Sequence, residues 1–432
     1  MRTSVRSIPP PATARAPDAL AAAAGVGEGL VREAVWYRGR CNWVGVDAGL
    51  APAIDRYRAV HRALGPELSG GTAGIALFLA QLHAATADDG ARRSARGAIE
   101  QALAHVDQVP AGAARGLYAG RLGIAYAAAR CAVLLGDERL LQRAARLARA
   151  RWPREPAATD SSLVSGNAGA VAGLLALARL LADERLLQRA RRSGDALIGA
   201  ARRGPEGWSW PLPGQRMAHG LCGIAHGAAG AAWALLELFA VTGERRHRDA
   251  AERALDYERH WFDAHEADWP DLRGVARREP RDAFAPSFAG TWCHGAPGIA
   301  LARLRAWRIV GDERHRDEAA IALATAAAGV ERALIAPAAD FTLGHGLAGS
   351  ADVLLLGAEL LADAAPERVA LAQRVAAVGA GRYAASIDGW PCGAAGGRAP
   401  ALLTGHAGIG LFYLRLHDRT VPSALLIAAP VP

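Results

Sequence analysis

The chain has 432 residues and a formal net charge of +8, and its basic side chains are all arginines, with no lysine. Its mean hydropathy is near zero, and no uninterrupted apolar run reaches the roughly 20 residues that cross a bilayer, so the composition argues against a transmembrane span. The N-terminus continues from Arg6 into three prolines, Pro9 to Pro11, instead of an apolar core, which argues against a secretory signal peptide.

Residues 1–29 are rich in proline and alanine and are predicted to form a disordered segment. One or two helices are predicted within 30–62, ahead of a repeated region. Because the repetition runs to the end of the chain, we expect a single domain over residues 30–432.

Seven Gly-x-x-Gly motifs recur at intervals of about 50 to 70 residues, each followed by an apolar Ala/Leu-rich stretch. A period of this length is typical of an array of helix pairs. The apolar stretches, for example 75–79 and 170–175, predict helices buried inside the array. Stretches rich in Arg and Glu, at 138–151, 184–201 and 244–260, predict outer helices. The motifs are Gly71 to Gly74, Gly120 to Gly123, Gly166 to Gly169, Gly227 to Gly230, Gly295 to Gly298, Gly346 to Gly349 and Gly405 to Gly408.

The positive charge has two interpretations. It would attract an acidic partner, such as a nucleic acid or an anionic peptide segment. The arginines nevertheless fall in helix-surface runs, such as Arg143, Arg146 and Arg149, without interleaved aromatic residues. We therefore interpret them as solvated helix surfaces and expect no nucleic-acid partner.

The cysteines indicate the compartment. They are five in number and widely spaced, so no disulfide framework is indicated. A cytoplasmic protein with one or two chemically used thiols is the better interpretation.

Side chains able to bind metal or move protons collect at three consecutive motifs. Cys222 and His226 lie at the fourth motif, Cys293 and His294 at the fifth, and His345 at the sixth. If the inner helices run parallel, all seven motifs meet where the helix N-termini converge, and this end is the natural mouth of a site. Long loops at 204–214 and 264–287 are candidate rims.

The chain resembles the lanthionine synthetase C family, most closely the cyclase domain at the C-terminal end of class II lanthipeptide synthetases. The resemblance covers almost the whole chain, and its most specific segment is 292–298, Trp-Cys-His-Gly-Ala-Pro-Gly. Further segments match the family pattern in order: 70–79, 226–230, 268–273, 390–393 and 404–410.

The resemblance implies an all-α fold, an α/α toroid of about seven inner and seven outer helices. It also implies a peptide cyclase of lanthipeptide biosynthesis, which adds a peptide cysteine to a dehydroamino acid and so closes a thioether ring. In the family zinc stabilises the thiolate, and an acid then protonates the enolate. By the resemblance Cys293 and His345 are zinc ligands, and His226 is the catalytic acid/base.

Two positions depart from the family pattern. The family's second cysteine ligand is Gly344 here, and its third-turn aspartate is Ser162, with Asp160 two residues upstream. Cys222 is a tentative surrogate ligand, and His294 a less accessible one. The sequence is also compatible with a weak two-ligand site completed by water, and with a site that binds no zinc. Structural roles are favoured for His219, His294, His406, Cys392 and the loop 268–271.

Two functions remain open. The first is an active cyclase, with a rebuilt zinc site or without metal. The second is a degenerate cyclase that serves as a peptide-binding partner of a modifying enzyme. In either case we expect a dehydrated precursor peptide as ligand, and a separate dehydratase, because 1–29 is too short to supply one. Glycosidases of similar shape need paired carboxylates, which the glycine motifs do not offer.

Overall fold

A computed structural model describes residues 18–47, 60–150, 160–212, 217–274, 287–336, 339–393 and 398–428. Within them the chain forms fourteen α-helices and six short strands. The helices are α1 Ala19–Glu33, α2 Thr72–Thr86, α3 Asp89–Ala104, α4 Arg121–Leu135, α5 Glu138–Arg149, α6 Asn167–Leu180, α7 Glu184–Gly199, α8 Ala228–Thr242, α9 Arg245–Trp261, α10 Ala296–Val310, α11 Glu313–Ile335, α12 Leu347–Leu360, α13 Ala365–Tyr383 and α14 His406–His417.

The even-numbered helices form a closed inner ring. Each packs against the next, from α2 through α4, α6, α8, α10 and α12 to α14, and α14 packs against α2. Every inner helix begins directly after the first glycine of one Gly-x-x-Gly motif. It is buried along most of its surface, as the apolar composition predicts. The odd-numbered helices pack outside them. The fold is therefore the expected α/α toroid of seven inner and seven outer helices.

The outer partner of α14 comes from the other end of the chain. Helix α1 packs against α14, with Ala23, Val26 and Leu30 buried at helical spacing. Asp18 caps this helix, because its Oδ1 accepts a hydrogen bond from the backbone N–H of Ala21 at 3.0 Å. The expectation of disorder over 1–29 is therefore wrong for 19–29, and residues 1–17 lie outside the described residues.

The segment predicted to hold lead-in helices contains strands instead. Strand β1 (Val35–Tyr37) pairs antiparallel with β2 (Arg40–Asn42), and β3 (Val44–Asp47) pairs with β4 (Val60–Ala63). Consecutive Val, Trp and Tyr residues favour a strand, and a turn at Gly39, whose φ is +76°, reverses the chain. A third hairpin, β5 (Arg202–Gly204) with β6 (Gly207–Ser209), forms part of the first predicted rim.

The rest of the two predicted rims is described only in part, because residues 213–216 and 275–286 lie outside the described residues. None of the helices that the structure describes is both long and apolar enough to cross a membrane.

The second glycine of each motif lies against the carbonyl oxygen of the residue six positions earlier. A Cβ atom built on any of the seven would approach that oxygen to between 1.8 and 2.1 Å, far inside contact distance. No other residue fits at this position without movement of the turn. This close approach is the physical reason for the repeated motif.

Neighbouring turns are joined by backbone hydrogen bonds, which together form a belt around the ring. The residue that takes part in each turn lies two positions before the first glycine of its motif. The N–H of Ser69 donates to Tyr118, that of Tyr118 to Val164, and that of Ala225 to Cys293. The belt includes six of the seven neighbouring pairs. In the described turns, no bond of this kind joins Cys293 to Gly344. All seven turns therefore lie at one pole of the ring, with one interruption.

The glycine packing can be tested with Gly123→Ala. The new Cβ would lie 1.9 Å from the carbonyl oxygen of Leu117, so we expect a loss of about 2 kcal/mol or more in the free energy of unfolding. Gly381→Ala is the matched control, since nothing lies within 4 Å of its Cβ position in α13 and alanine favours helix by up to about 1 kcal/mol. Urea unfolding of both variants measures the difference, and equal stabilities would contradict this explanation.

His406, at the start of α14, makes stability depend on pH. Its ring is buried, and burial lowers its pKa from 6.5 to about 4. Between these values the unfolded chain binds a proton that the folded chain does not, so the free energy of unfolding falls as the pH is lowered, by about 1.4 kcal/mol per unit.

We expect His406→Leu to remove this part of the pH dependence, measured by urea unfolding at a series of pH values between 6.5 and 4. His417→Leu, at an exposed position, should keep the wild-type dependence. An unchanged slope in His406→Leu would show that the buried ring takes up its proton without a penalty.

Candidate functional site

The fourth turn, residues 221–227, positions His226 immediately before the first glycine of its motif. Glu258 on α9 holds this turn, because its Oε1 accepts hydrogen bonds from the N–H groups of Gly223 and Ala229 at 2.8 and 2.9 Å. The backbone N–H of Ala225 donates to Cys293 in the fifth turn at 3.3 Å. The His226 side chain is half-buried at the pole of the ring.

The fifth turn, residues 291–295, places His294 beside His226. The two imidazole rings stack with centroids 5.9 Å apart and an interplanar angle of 20°. Asp268 fixes this turn, because its Oδ1 accepts from the N–H of Ala296, the first residue of α10, at 2.8 Å. The sequence favours a structural role for His294, whereas the structure makes it a member of the site. The capping role expected for the loop 268–271 is present at Asp268.

His345 occupies the equivalent position in the sixth turn, residues 342–346. Its side chain is exposed at the pole, and its positive form lies close enough to His294 to lower the pKa of that ring. The structure therefore brings together His226, His294 and His345 from three consecutive turns. Cys293 lies within the same group and is half-buried.

Arg273 is a site residue that the sequence interpretation missed. It lies in the described part of the 264–287 rim, and Asp271 holds it, with Nε 2.9 Å from each carboxylate oxygen. Its positive charge acts on the pKa of Cys293 and of all three histidines. The segment 268–273 belongs to the matched family pattern, and that match was the signal that could have identified it.

Burial governs the protonation states of the site. It lowers the pKa of His294 to about 4, with a smaller contribution from Arg273. Burial also lowers the pKa of His226, and partial desolvation lowers that of the more exposed His345. The carboxylates of Asp160 and Asp340 partly oppose these effects. The three rings are therefore neutral at neutral pH. Burial raises the pKa of Cys293 to about 12, so its sulfur is a neutral thiol.

Cys222 does not join this group. Its side chain is buried within the fourth turn, where Glu258 and Arg303 are its charged neighbours. Burial raises the pKa of its thiol well above 9.0. Within the parts of the chain that the structure describes, no three His, Cys, Asp or Glu side chains are placed to hold a metal ion. The structure thus offers no support for Cys222 as the replacement ligand.

Among the described residues, only two of the three protein ligands that the family uses for zinc are present. Cys293 and His345 remain as two donors, but the third position is Gly344. A Cβ atom there would lie 2.9 Å from the carbonyl oxygen of Leu403, which accepts a hydrogen bond from the Gly344 N–H at 2.6 Å. A side chain at this position would therefore require only a small shift between the sixth and seventh turns.

Zinc retention can be tested by restoring the missing thiolate. After dialysis we expect the wild-type chain to retain well under one zinc ion per molecule, because two protein ligands bind weakly. Gly344→Cys should retain more zinc, whereas Gly344→Ser introduces the same Cβ atom with a poor ligand and should not. Zinc is measured by mass spectrometry of the protein, and one tightly held ion in the wild type would show that this chain builds its site differently.

Comparison with known proteins identifies similar folds and a matching family. The fold is similar to that of nisin cyclase, with a TM-score of 0.58 and 18% identity over 82% of this chain and 89% of that chain. Lower similarity is found to a GH76 α-mannanase of Bacteroides thetaiotaomicron, with a TM-score of 0.47 and 12% identity over 69% of this chain and 85% of that chain. No curated protein matches. The family described as lanthionine synthetase C-like protein matches residues 62–426, and the chain belongs to this family.

Proposed function

We propose that the chain closes thioether rings in a dehydrated peptide bound at the pole of the seven turns. The convergence of His226, His294 and His345 beside Cys293 and Arg273 is the observation that supports this proposal. Three neutral imidazoles and a guanidinium form a site that can move protons and receive negative charge. The N-termini of the inner helices converge at this pole, and the described rim residue Arg273 lies beside it.

The reaction joins the sulfur of a peptide cysteine to the β-carbon of a dehydroalanine or dehydrobutyrine. The thiol loses its proton, the carbon–carbon π bond breaks, and its electrons move to the carbonyl oxygen as an enolate. A proton is then added to the α-carbon. No other atoms enter or leave, so the site needs a base, an acid and a stabiliser of negative charge.

His226 is suited to the proton steps. Because burial lowers its pKa, the ring is neutral at neutral pH and can accept the thiol proton. The imidazolium that results can return a proton to the α-carbon. Asp160, in the third turn, stabilises the charged ring, since its carboxylate raises the pKa of His226. The stacked ring of His294 limits how far His226 can turn.

Arg273 is suited to the negative charge. It is half-exposed at the rim, and Asp271 holds its guanidinium by an ion pair. The charge lies near Cys293 and the histidines, where the substrate sulfur and the enolate oxygen would meet it. An ion in this position stabilises the enolate more than the neutral reactant, and that difference accelerates the reaction. Holding thiol and alkene together supplies the remaining advantage.

Gly344 favours the second candidate function, a peptide-binding partner without cyclase activity. With the family's second thiolate missing and Cys293 protonated, the described residues offer no thiolate ligand for a metal that would activate the substrate sulfur. The same pole would then bind the peptide and present it to another enzyme.

One experiment separates the two functions. A synthetic peptide with one cysteine and one dehydroalanine is incubated with the protein, and its free thiol is counted by alkylation and mass spectrometry. Loss of the thiol above the no-enzyme rate supports the cyclase. Binding by fluorescence anisotropy without loss of the thiol supports the binding partner, and the absence of both contradicts the proposal.

We expect His226→Asn to lower the rate of thiol loss by about a hundredfold or more, because a positioned acid/base contributes at least that factor. Peptide binding should change little. His417→Asn is the matched control, since this exposed histidine ends α14 at the other pole. A His226→Asn variant with the wild-type rate would assign the proton steps to another group.

A further inference from the structure

The C-terminal segment, residues 418–428, turns back into the interior of the helical ring. Ser423 donates its hydroxyl to Asp352 on α12 at 2.5 Å, and both side chains are buried. Residues 422–424 also face Leu77 on α2 and Tyr126 on α4 across a small cavity. The segment is therefore surrounded by inner helices.

The segment reaches the turns that carry the site. The hydroxyl of Tyr118, in the second turn, donates to the carbonyl oxygen of Ala424 at 2.7 Å. The indole Nε1–H of Trp292, in the fifth turn, donates to the carbonyl oxygen of Leu425 at 3.2 Å. The two rings meet edge to face, with centroids 5.3 Å apart. The segment thus connects two turns that are not neighbours in the belt.

Trp292 immediately precedes Cys293, so the anchor lies beside the site. Tyr118 is also close to Cys293, because the two groups interact electrostatically. Tyr118 and Trp292 are fully buried aromatic residues, each with one hydrogen-bond donor. Without the segment, the Tyr118 hydroxyl and the Trp292 indole N–H would lose the carbonyl oxygens that they bind. Because leaving a buried donor unpaired costs free energy, these two hydrogen bonds hold the segment against the second and fifth turns.

The segment is itself held rigidly. The N–H of Leu425 donates to the hydroxyl of Ser423 at 3.0 Å, and Arg415 on α14 donates to the carbonyl oxygen of Val421. Arg415 also pairs with Asp352 at 2.5 Å. These contacts fix the two carbonyl groups that Tyr118 and Trp292 use.

We propose that the C-terminal segment is a positioning element of the site. It closes the site from the ring interior and holds the fifth turn, and with it Cys293 and His294, through the carbonyl groups of Ala424 and Leu425. Within the described residues, this leaves the pole as the route by which peptide enters. This role does not depend on whether the site performs thioether chemistry.

Tyr118→Phe tests the proposal by removing one hydroxyl. Tyr413→Phe is the matched control, because the Tyr413 hydroxyl also donates to a buried carbonyl oxygen at 2.7 Å, that of Ala376 in the outer layer. The readout is the alkylation rate of Cys293 by iodoacetamide at mildly alkaline pH, followed by peptide mass spectrometry. Cys131, which is fully buried, reports opening of the whole chain.

We expect Tyr118→Phe to raise the alkylation rate of Cys293 roughly two- to tenfold, the range that one net hydrogen bond supplies, with Cys131 unchanged. Tyr413→Phe should alter thermal stability to a similar extent and leave Cys293 at the wild-type rate. Trp292→Phe removes the second donor and should act like Tyr118→Phe. An unchanged Cys293 rate in both site variants, or an equal rise in Tyr413→Phe, would overturn the proposal. Because no peptide substrate is used, its failure is distinct from failure of the proposed function.

Discussion

The contact between the second glycine of each motif and the carbonyl oxygen six residues before it controls the architecture. It folds each turn tightly onto the start of an inner helix, so that the residue two positions before the motif can join the belt. The residue one position before the motif is then directed to the pole. His226, His294 and His345 share this position, so three neighbouring turns with one geometry place them at the same pole.

The sequence predicted what the repeat specifies. The motifs indicated the number of inner helices and the end at which the histidines lie, because glycine at a close approach is a local requirement. The repeat did not predict the role of Arg273, because this residue reaches the site from a rim loop outside the repeat. The orientation of Cys222 was also unpredictable, since it depends on Glu258 and Arg303 from other helices.

The ends of the chain were the least predictable parts. Helix α1 is rich in alanine and glycine, and its composition suggested disorder. Its stability comes from packing on α14, a contact that no local pattern reveals. The C-terminal segment makes its contacts to the site through backbone carbonyl groups, which every residue possesses. Residue types alone therefore could not identify this role.

The closure of the ring has a consequence for biosynthesis. Helix α1 is synthesised before the other described helices and its partner α14 after them, and α2 also waits for α14 before the ring is complete. Contacts this distant in sequence form slowly. Until α14 is made, the faces of α1 and α2 that pack against it have no native partner. Exposed apolar surfaces of this kind promote aggregation and need chaperones. The ring that carries the histidines at its pole is therefore closed only after α14 has been synthesised.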